Sequence, residues 1–280
     1  MEIIMRYVFD HDFHIHSCLT GGKANTPEVI LEYAKKNNLK TVITTDHYWD
    51  DRIPTDVKHT DIGNEEIHSL QPYPQEDGIR MLIGAEADIA PDGTLGANRR
   101  TFDDFDFILL SATHLGSKWF PFDGTPEESI PERAKAYIRR FDAIFNADIP
   151  HHKAGLTHPV GSVMGPSEEL YRYVLDAIPD AEFHRLFRTA AQLGIGVEIN
   201  LASMRNHTLK SMPQHTPETH PSVFRPYYIA REEGCKFFFG SDTHFPHEFE
   251  FKPATAETVI DQLELKESEK FIIEPTATVI

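Results

Sequence analysis

At 280 residues, with 40% apolar and 25% charged residues and a net charge of −17, the chain has the make-up of a globular protein long enough for one large domain. That acidity argues against extended nucleic acid as a partner, because phosphate backbones are held mainly by Lys and Arg. No apolar run approaches the ~18 residues of a membrane helix, the opening "MEIIMRYVFDHD" lacks the features of a signal peptide, and Cys18 and Cys235 alone suggest no disulfide framework, so a cytoplasmic chain without a membrane partner is expected.

In chain order, the first strand candidate is "YVFDHDFHIH", ending at His16. Side chains alternate along a strand, so Asp12, His14 and His16 are expected on one face with Phe13 and Ile15 on the other, and His11 drops out. A helix follows in "TPEVILEYAKKNN", with Thr26 as N-cap and Pro27 in the first turn. Further strands are "KTVITTDH" ending at His47, "RMLIGAEADI" carrying Glu86 and "DFDFILLSATH" ending at His114. The helical stretch "SIPERAKAYIRRFDAIFNA" leads to "AGLTHP" with His158, and "AEFHRLFRTAAQLG" leads to "GIGVEIN" with Glu198. Last come the helix "PYYIAREEG" and the strand "CKFFFGSDTH", ending at His244; Gly194 and Gly234 stop the last two helices. Residues 48–79 and 202–225 are expected as long loops covering a site.

Strands alternating with helices predict parallel pairing with crossover helices, hence an α/β sheet or barrel. Almost every strand ends in His, Asp or Glu, and in such barrels the site is assembled at the C-terminal strand ends. The candidate ligands His14, His16, His47, Glu86, His114, His158, Asp242 and His244 exceed what one ion can use. Imidazole with carboxylate suits Zn²⁺, Mn²⁺ or Fe rather than Ca²⁺ or Mg²⁺, and the number of groups points to a multinuclear site.

The ordered motifs "DFHIHS", "TDH", "GAEADIAPDGTL", "DFDFILLSATH", "THP", "VEIN" and "GSDTH" resemble the PHP (polymerase and histidinol phosphatase) superfamily over residues 10–244. The resemblance implies a distorted (βα)₇ barrel, a single domain over residues 1–280, and metal-dependent hydrolysis of a small phosphomonoester by a metal-bridging hydroxide. It implies one metal on His14, His16, Glu86 and Asp242, and a second on Glu86, His114 and His158. His47 and His244 then belong to a third. Asp12 would orient the His14 and His16 rings, Asp46 would do the same beside His47, and Glu198 would support the site from behind. Relatives carry a further His or Asp soon after H-x-H, where this chain has "SCLTGGKAN". Two firmly bound metals and a weaker third are therefore expected, with Cys18 a fallback ligand and Lys23 a source of positive charge. Arg205, shortly after "VEIN", occupies the place of a phosphate-binding arginine, whose fork suits phosphate oxygens.

Among the other histidines, His11, His59, His68, His184, His215 and His247 read as solvated or structural, whereas His151, His152, His207 and His220 lie in or beside candidate site loops. Two alternatives stand beside the phosphatase reading. One is a binuclear amidohydrolase cleaving C–N or ester bonds, which would want a bridging lysine where this chain has "SATH". The other is a nucleotide or small-oligonucleotide phosphoesterase.

Overall fold

The computed structural model describes residues 5–55, 60–116, 122–167, 170–208 and 223–273, with side chains of 206–208 outside that description. The strands are β1 (His11–Ile15), β2 (Thr41–Thr44), the two-residue β3 (His47–Tyr48), β4 (Arg80–Asp88), β5 (Phe107–Ser111), β6 (Ala154–Leu156), β7 (Gly196–Asn200) and β8 (Lys236–Gly240). They pair in parallel in the order β1-β2-β4-β5-β6-β7-β8, with β3 beside β4. Beyond the end of β8, Thr243 bridges to Ile15 in parallel and the Asp242 N–H donates to the His14 carbonyl at 2.7 Å. The seven principal strands thus form a nearly closed, distorted (βα)₇ barrel, as expected.

The main helices are α1 (Pro27–Lys36), α2 (Asn64–His68), α3 (Thr101–Asp104), α4 (Ile130–Asn146), α5 (Tyr171–Asp176), α6 (Asp180–Leu193), α7 (Leu201–Thr208), α8 (Arg225–Glu232) and α9 (Lys252–Leu263). Proline in the first turn of α1, α4, α8 and α9 starts each helix with a preset φ and no wasted donor. Gly194, at φ +71°, closes α6 in the left-handed cap that glycine adopts without strain. Thr26 does stand at the α1 N-cap, but its hydroxyl makes no capping hydrogen bond.

Two apolar layers result. The outer core lies between strands and helices, and includes Ile15, Val42, Leu110, Tyr137, Phe187, Val197 and Ile260. The barrel interior holds Phe13, Ile43, Phe107, Leu109 and Phe238, joined by Phe271 and Ile273. The Phe271 N–H donates to the Phe237 carbonyl at 2.7 Å, so the segment after α9 plugs the end of the barrel where the strands begin. This apolar fill leaves polar side chains room to converge only at the opposite end.

Neither expected long loop is wholly irregular. Within 48–79 lie Tyr48 of β3 and all of α2, and within 202–225 lie residues 202–208 of α7. Residues 56–59 and 209–222 of these stretches fall outside the described residues, as do His59, His215 and His220. No described helix is long and apolar enough to cross a membrane.

Candidate metal centre

The strand ends bring the histidines and carboxylates to one place. Three groups could each hold an ion: His14, His16 and Glu86; Glu86, His114 and His158; and His16, His47 and His244. Within each, the ligand atoms lie within 4.8 Å of one another. Cys18 appears in none of these groups among the described residues.

Glu86 lies at the centre. It sits inside β4, paired with His47 of β3 on one side and Leu109 of β5 on the other. Its Oε1 lies 2.9 Å from His158 Nε2 and 4.0 Å from His114 Nε2. Its Oε2 faces His47 Nδ1 at 3.0 Å and the Nε2 atoms of His14 and His16 at 3.6 Å each. Burial works against ionisation of Glu86, yet His47, His14 and His158 hold its carboxyl well below the usual range. That buried Oε2 is met by imidazole nitrogens alone, a place where a cation can take over from their protons.

Ring partners set where the imidazole lone pairs point. His14 Nδ1 donates to Glu198 Oε1 at 2.8 Å, and His16 Nδ1 to Thr20 Oγ1 at 2.9 Å, whose own hydroxyl donates to Asp46 Oδ1 at 2.6 Å. His114 Nδ1 is 2.5 Å from Asp88 Oδ1, and His158 Nδ1 is 2.7 Å from Thr113 Oγ1. His14, His16 and His114 thereby spend an N–H on an acceptor behind the site and turn Nε2 toward it, whereas His158 lies between the Thr113 hydroxyl and Glu86 Oε1, to which its Nε2 donates. His14 and His16 Nε2 face each other at 3.2 Å, with Asp242 Oδ1 at 3.2 Å from His16 and 3.6 Å from His14. Two imidazole nitrogens at this distance need a proton or a cation between them. The donor set therefore fits a divalent metal of the imidazole-and-carboxylate type.

Two supporting assignments need correction. The register of β1 shifts between Asp12 and Ile15, so strict alternation fails. Phe13 lines the barrel interior but Ile15 joins the outer core, and Asp12, ahead of the shift, faces outward, where its Oδ2 accepts from the Tyr33 hydroxyl of helix α1 at 3.1 Å. Asp12 receives the backbone N–H of His14 at 3.3 Å and that of Ser241 at 2.8 Å, and orients neither ring. Asp46 acts on His16 through Thr20 rather than on His47. Its Oδ1 also takes the N–H groups of Ser17 and Thr20, at 2.9 and 3.1 Å.

Of the remaining candidates, Lys23 is exposed on the loop after β1, where the neighbouring Gly22 N–H donates to the His244 carbonyl at 2.7 Å. Arg205 is exposed on α7, its guanidinium 3.7 Å above the Phe251 ring. His11 is buried and packs on Phe13 at 4.5 Å between ring centroids. His68 stacks on Phe105, His151 bonds the Ile144 carbonyl, His184 pairs with Glu233 and His247 stacks on Phe245.

No family model matches the chain. Over 253 residues it is 27% identical to a probable histidinol-phosphatase of Deinococcus radiodurans, across 88% of this chain and 90% of the relative. The chain is histidinol-phosphatase-like. Its fold also matches the crystal structure of a histidinol phosphate phosphatase from Lactococcus lactis complexed with zinc, L-histidinol and phosphate, at a TM-score of 0.56 and 17% identity over 94% of this chain and 98% of that one.

In this histidinol-phosphatase-like chain several supporting residues carry no sequence motif of their own. Thr20, Thr113 and Thr157 are among them: Thr157 donates to Glu198 Oε2 at 2.6 Å. Asp88 sits two residues after Glu86, on the same strand face, so its period-2 spacing was a usable signal. Lys252, at the start of α9, gave none. His158 and Asp242 adopt φ of +28° and +51°, a left-handed backbone that costs a non-glycine residue about 1–3 kcal/mol and concentrates at functional sites.

Proposed function

We propose that the chain hydrolyses a small phosphomonoester with divalent metals, histidinol phosphate being the first substrate to test. The observation that carries this reading is Glu86, a buried carboxylate that belongs to two of the ligand clusters and whose two oxygens lie within 4.0 Å of five imidazole nitrogens. In it, His14, His16 and Asp242 hold one ion, His114 and His158 a second, and Glu86 reaches both. His47 and His244 with His16 offer a third position that has no carboxylate of its own, so it is the weaker one. When bound, the ions supply charge neutralisation for the phosphoryl oxygens and a water acidic enough to attack at neutral pH.

The chain's own residues do the rest. Glu198, Thr20 and Asp88 keep the Nδ1 protons of His14, His16 and His114 behind the site, so Nε2 stays free for the ion, and Thr113 holds the His158 ring in place through its Nδ1. Arg205 and Lys23 are assigned to the phosphate, Arg205 by swinging from the Phe251 ring and Lys23 from the loop beside His244. Residues 48–79 and 202–225 are assigned as covers of the mouth within a single domain. The test is metal content and turnover on a phosphomonoester panel that includes histidinol phosphate, with Zn²⁺, Mn²⁺ or Fe²⁺ added after chelation. No turnover with less than one ion per chain would overturn the reading. His47→Ala should lose much less metal than His14→Ala, and equal losses would contradict the weak third position.

A further inference from the structure

Lys252 violates three local preferences at once. Its side chain is buried, at 1% exposure for the residue, although lysine is among the residues least often buried. It occupies the first turn of α9, where the helix dipole disfavours a cation. The charge of Arg205 also acts against it, while those of Asp242, Asp12 and Glu248 act in its favour. Such a residue is kept in place by what it does for its neighbours.

Its ammonium donates to the carbonyl of Ser241. The other polar group of that residue, the Ser241 N–H, donates to Asp12 Oδ1 at 2.8 Å. Asp12, fully buried, is held in turn by the Tyr33 hydroxyl at 3.1 Å and the His14 N–H at 3.3 Å. Both sides of the Ser241 backbone are thus gripped by buried side chains of opposite charge. The next residue is Asp242, at φ +51°. An aspartate does not keep that backbone unaided, and only surrounding structure can over-determine it. The Ser241 hydroxyl adds a bond to the His14 carbonyl at 3.1 Å, tying the gripped residue to the strand that carries the two facing imidazoles.

We propose that Lys252 and Asp12 form a clamp on Ser241 that aims the Asp242 carboxylate at His14 and His16. Both are positioning residues. The inference rests on the reading that Asp242, His14 and His16 hold a metal ion. It assigns a role to a lysine in a helix with no sequence motif, and a different role to Asp12 from ring orientation.

Cobalt(II) titration of the chelated full-length protein tests it, followed by calorimetry and by the visible ligand-field absorption. Wild type should bind two Co²⁺ tightly. Lys252→Met, which keeps the length and removes the charge, should leave one at wild-type affinity and weaken the other about 10- to 100-fold, the usual effect of losing an outer support. Its absorption band should change in shape as Asp242 leaves or loosens. Unchanged binding at both positions would overturn the clamp, and so would equal weakening of both, which is what general damage to the fold produces. If Lys252→Met does not fold, Tyr33→Phe removes one donor from Asp12 and keeps every charge. That variant should weaken the same position alone, and two wild-type affinities from it would equally overturn the clamp. Wild type without tight Co²⁺ would instead sink the reading of the site on which the clamp depends.

Discussion

Glu198→Gln exchanges one oxygen of the carboxylate behind His14 for an amide nitrogen. Glu198 Oε1 accepts from His14 Nδ1 at 2.8 Å, while Oε2 accepts from the Thr157 hydroxyl at 2.6 Å and from the backbone N–H of His158. The glutamine has two ways to sit. With its nitrogen toward His158 it opposes a backbone donor that cannot turn around, and leaving that buried N–H unpaired costs about 1–3 kcal/mol. With its nitrogen toward His14 it meets a ring that can adapt, since an imidazole can move its proton from Nδ1 to Nε2. The second placement should win, and the proton then sits on the Nε2 that faces His16 and Asp242. Ion affinity at that position should fall about 10- to 100-fold, or roughly 1.4–2.7 kcal/mol at 1.4 kcal/mol per decade. Competition with a chromophoric chelator measures the affinity, and the ¹⁵N shifts of the His14 ring report the tautomer in metal-free protein taken to a pH above the ring's pKa, which burial lowers but Glu198 and Asp242 raise well above the ordinary value. Wild-type affinity with the proton still on Nδ1 would refute the reasoning.

A Cβ at residue 240 would lie 2.0 Å from Glu198 Oε1 and 2.5 Å from His14 Cβ, so Gly240→Ala should lower stability in EDTA by about 1–3 kcal/mol by thermal denaturation; an unchanged midpoint would contradict the packing. Burial opposes ionisation of Asp10, but His11 and Lys270 hold its carboxyl down to about 2. Its folded value is depressed below the ordinary carboxylate near 3.9, so its stabilisation is present above about pH 4 and is lost as pH falls toward 2. Asp10→Asn should therefore cost about 1–2 kcal/mol at pH 7, allowing for screening of a partly exposed pair, and the gap to wild type in urea melts should shrink below pH 4. Burial pushes the Cys235 thiol up to about 12, whereas Cys18 is partly exposed. A thiol reagent should then react quickly with one cysteine in the native protein and with two after denaturation, and two fast thiols in the native state would count against the buried assignment.

Much of the site was legible in the chain because strand ends and ligand types coincide in it. His16, His47, His114, His158 and His244 each end or follow an apolar run, and parallel strands with crossover helices carry such ends to one side of a barrel. Period and composition are local properties, so they survive as evidence before any contact is known. The seven strand runs and helices α1, α4, α6 and α8 were readable for the same reason, whereas α7 was hidden in a stretch that read as loop and α5 and α9 were not read.

Tertiary structure alone decided which candidate ligands lie together and what stands behind each ring. The shift in β1 register between Asp12 and Ile15 parts the imidazoles from Asp12, which faces Tyr33 on α1, an outcome that alternation in one strand cannot foresee because it depends on the pairing with β2. Glu198 and His14 are 184 residues apart in the chain, and Lys252 meets Ser241 only because α9 folds back across the end of β8. Hydrogen-bond partners of this kind are set by through-space distances of a few ångströms between distant segments, which residue order does not encode locally. The presence of ligand-type side chains at strand ends was therefore a matter of sequence, and their aim a matter of fold.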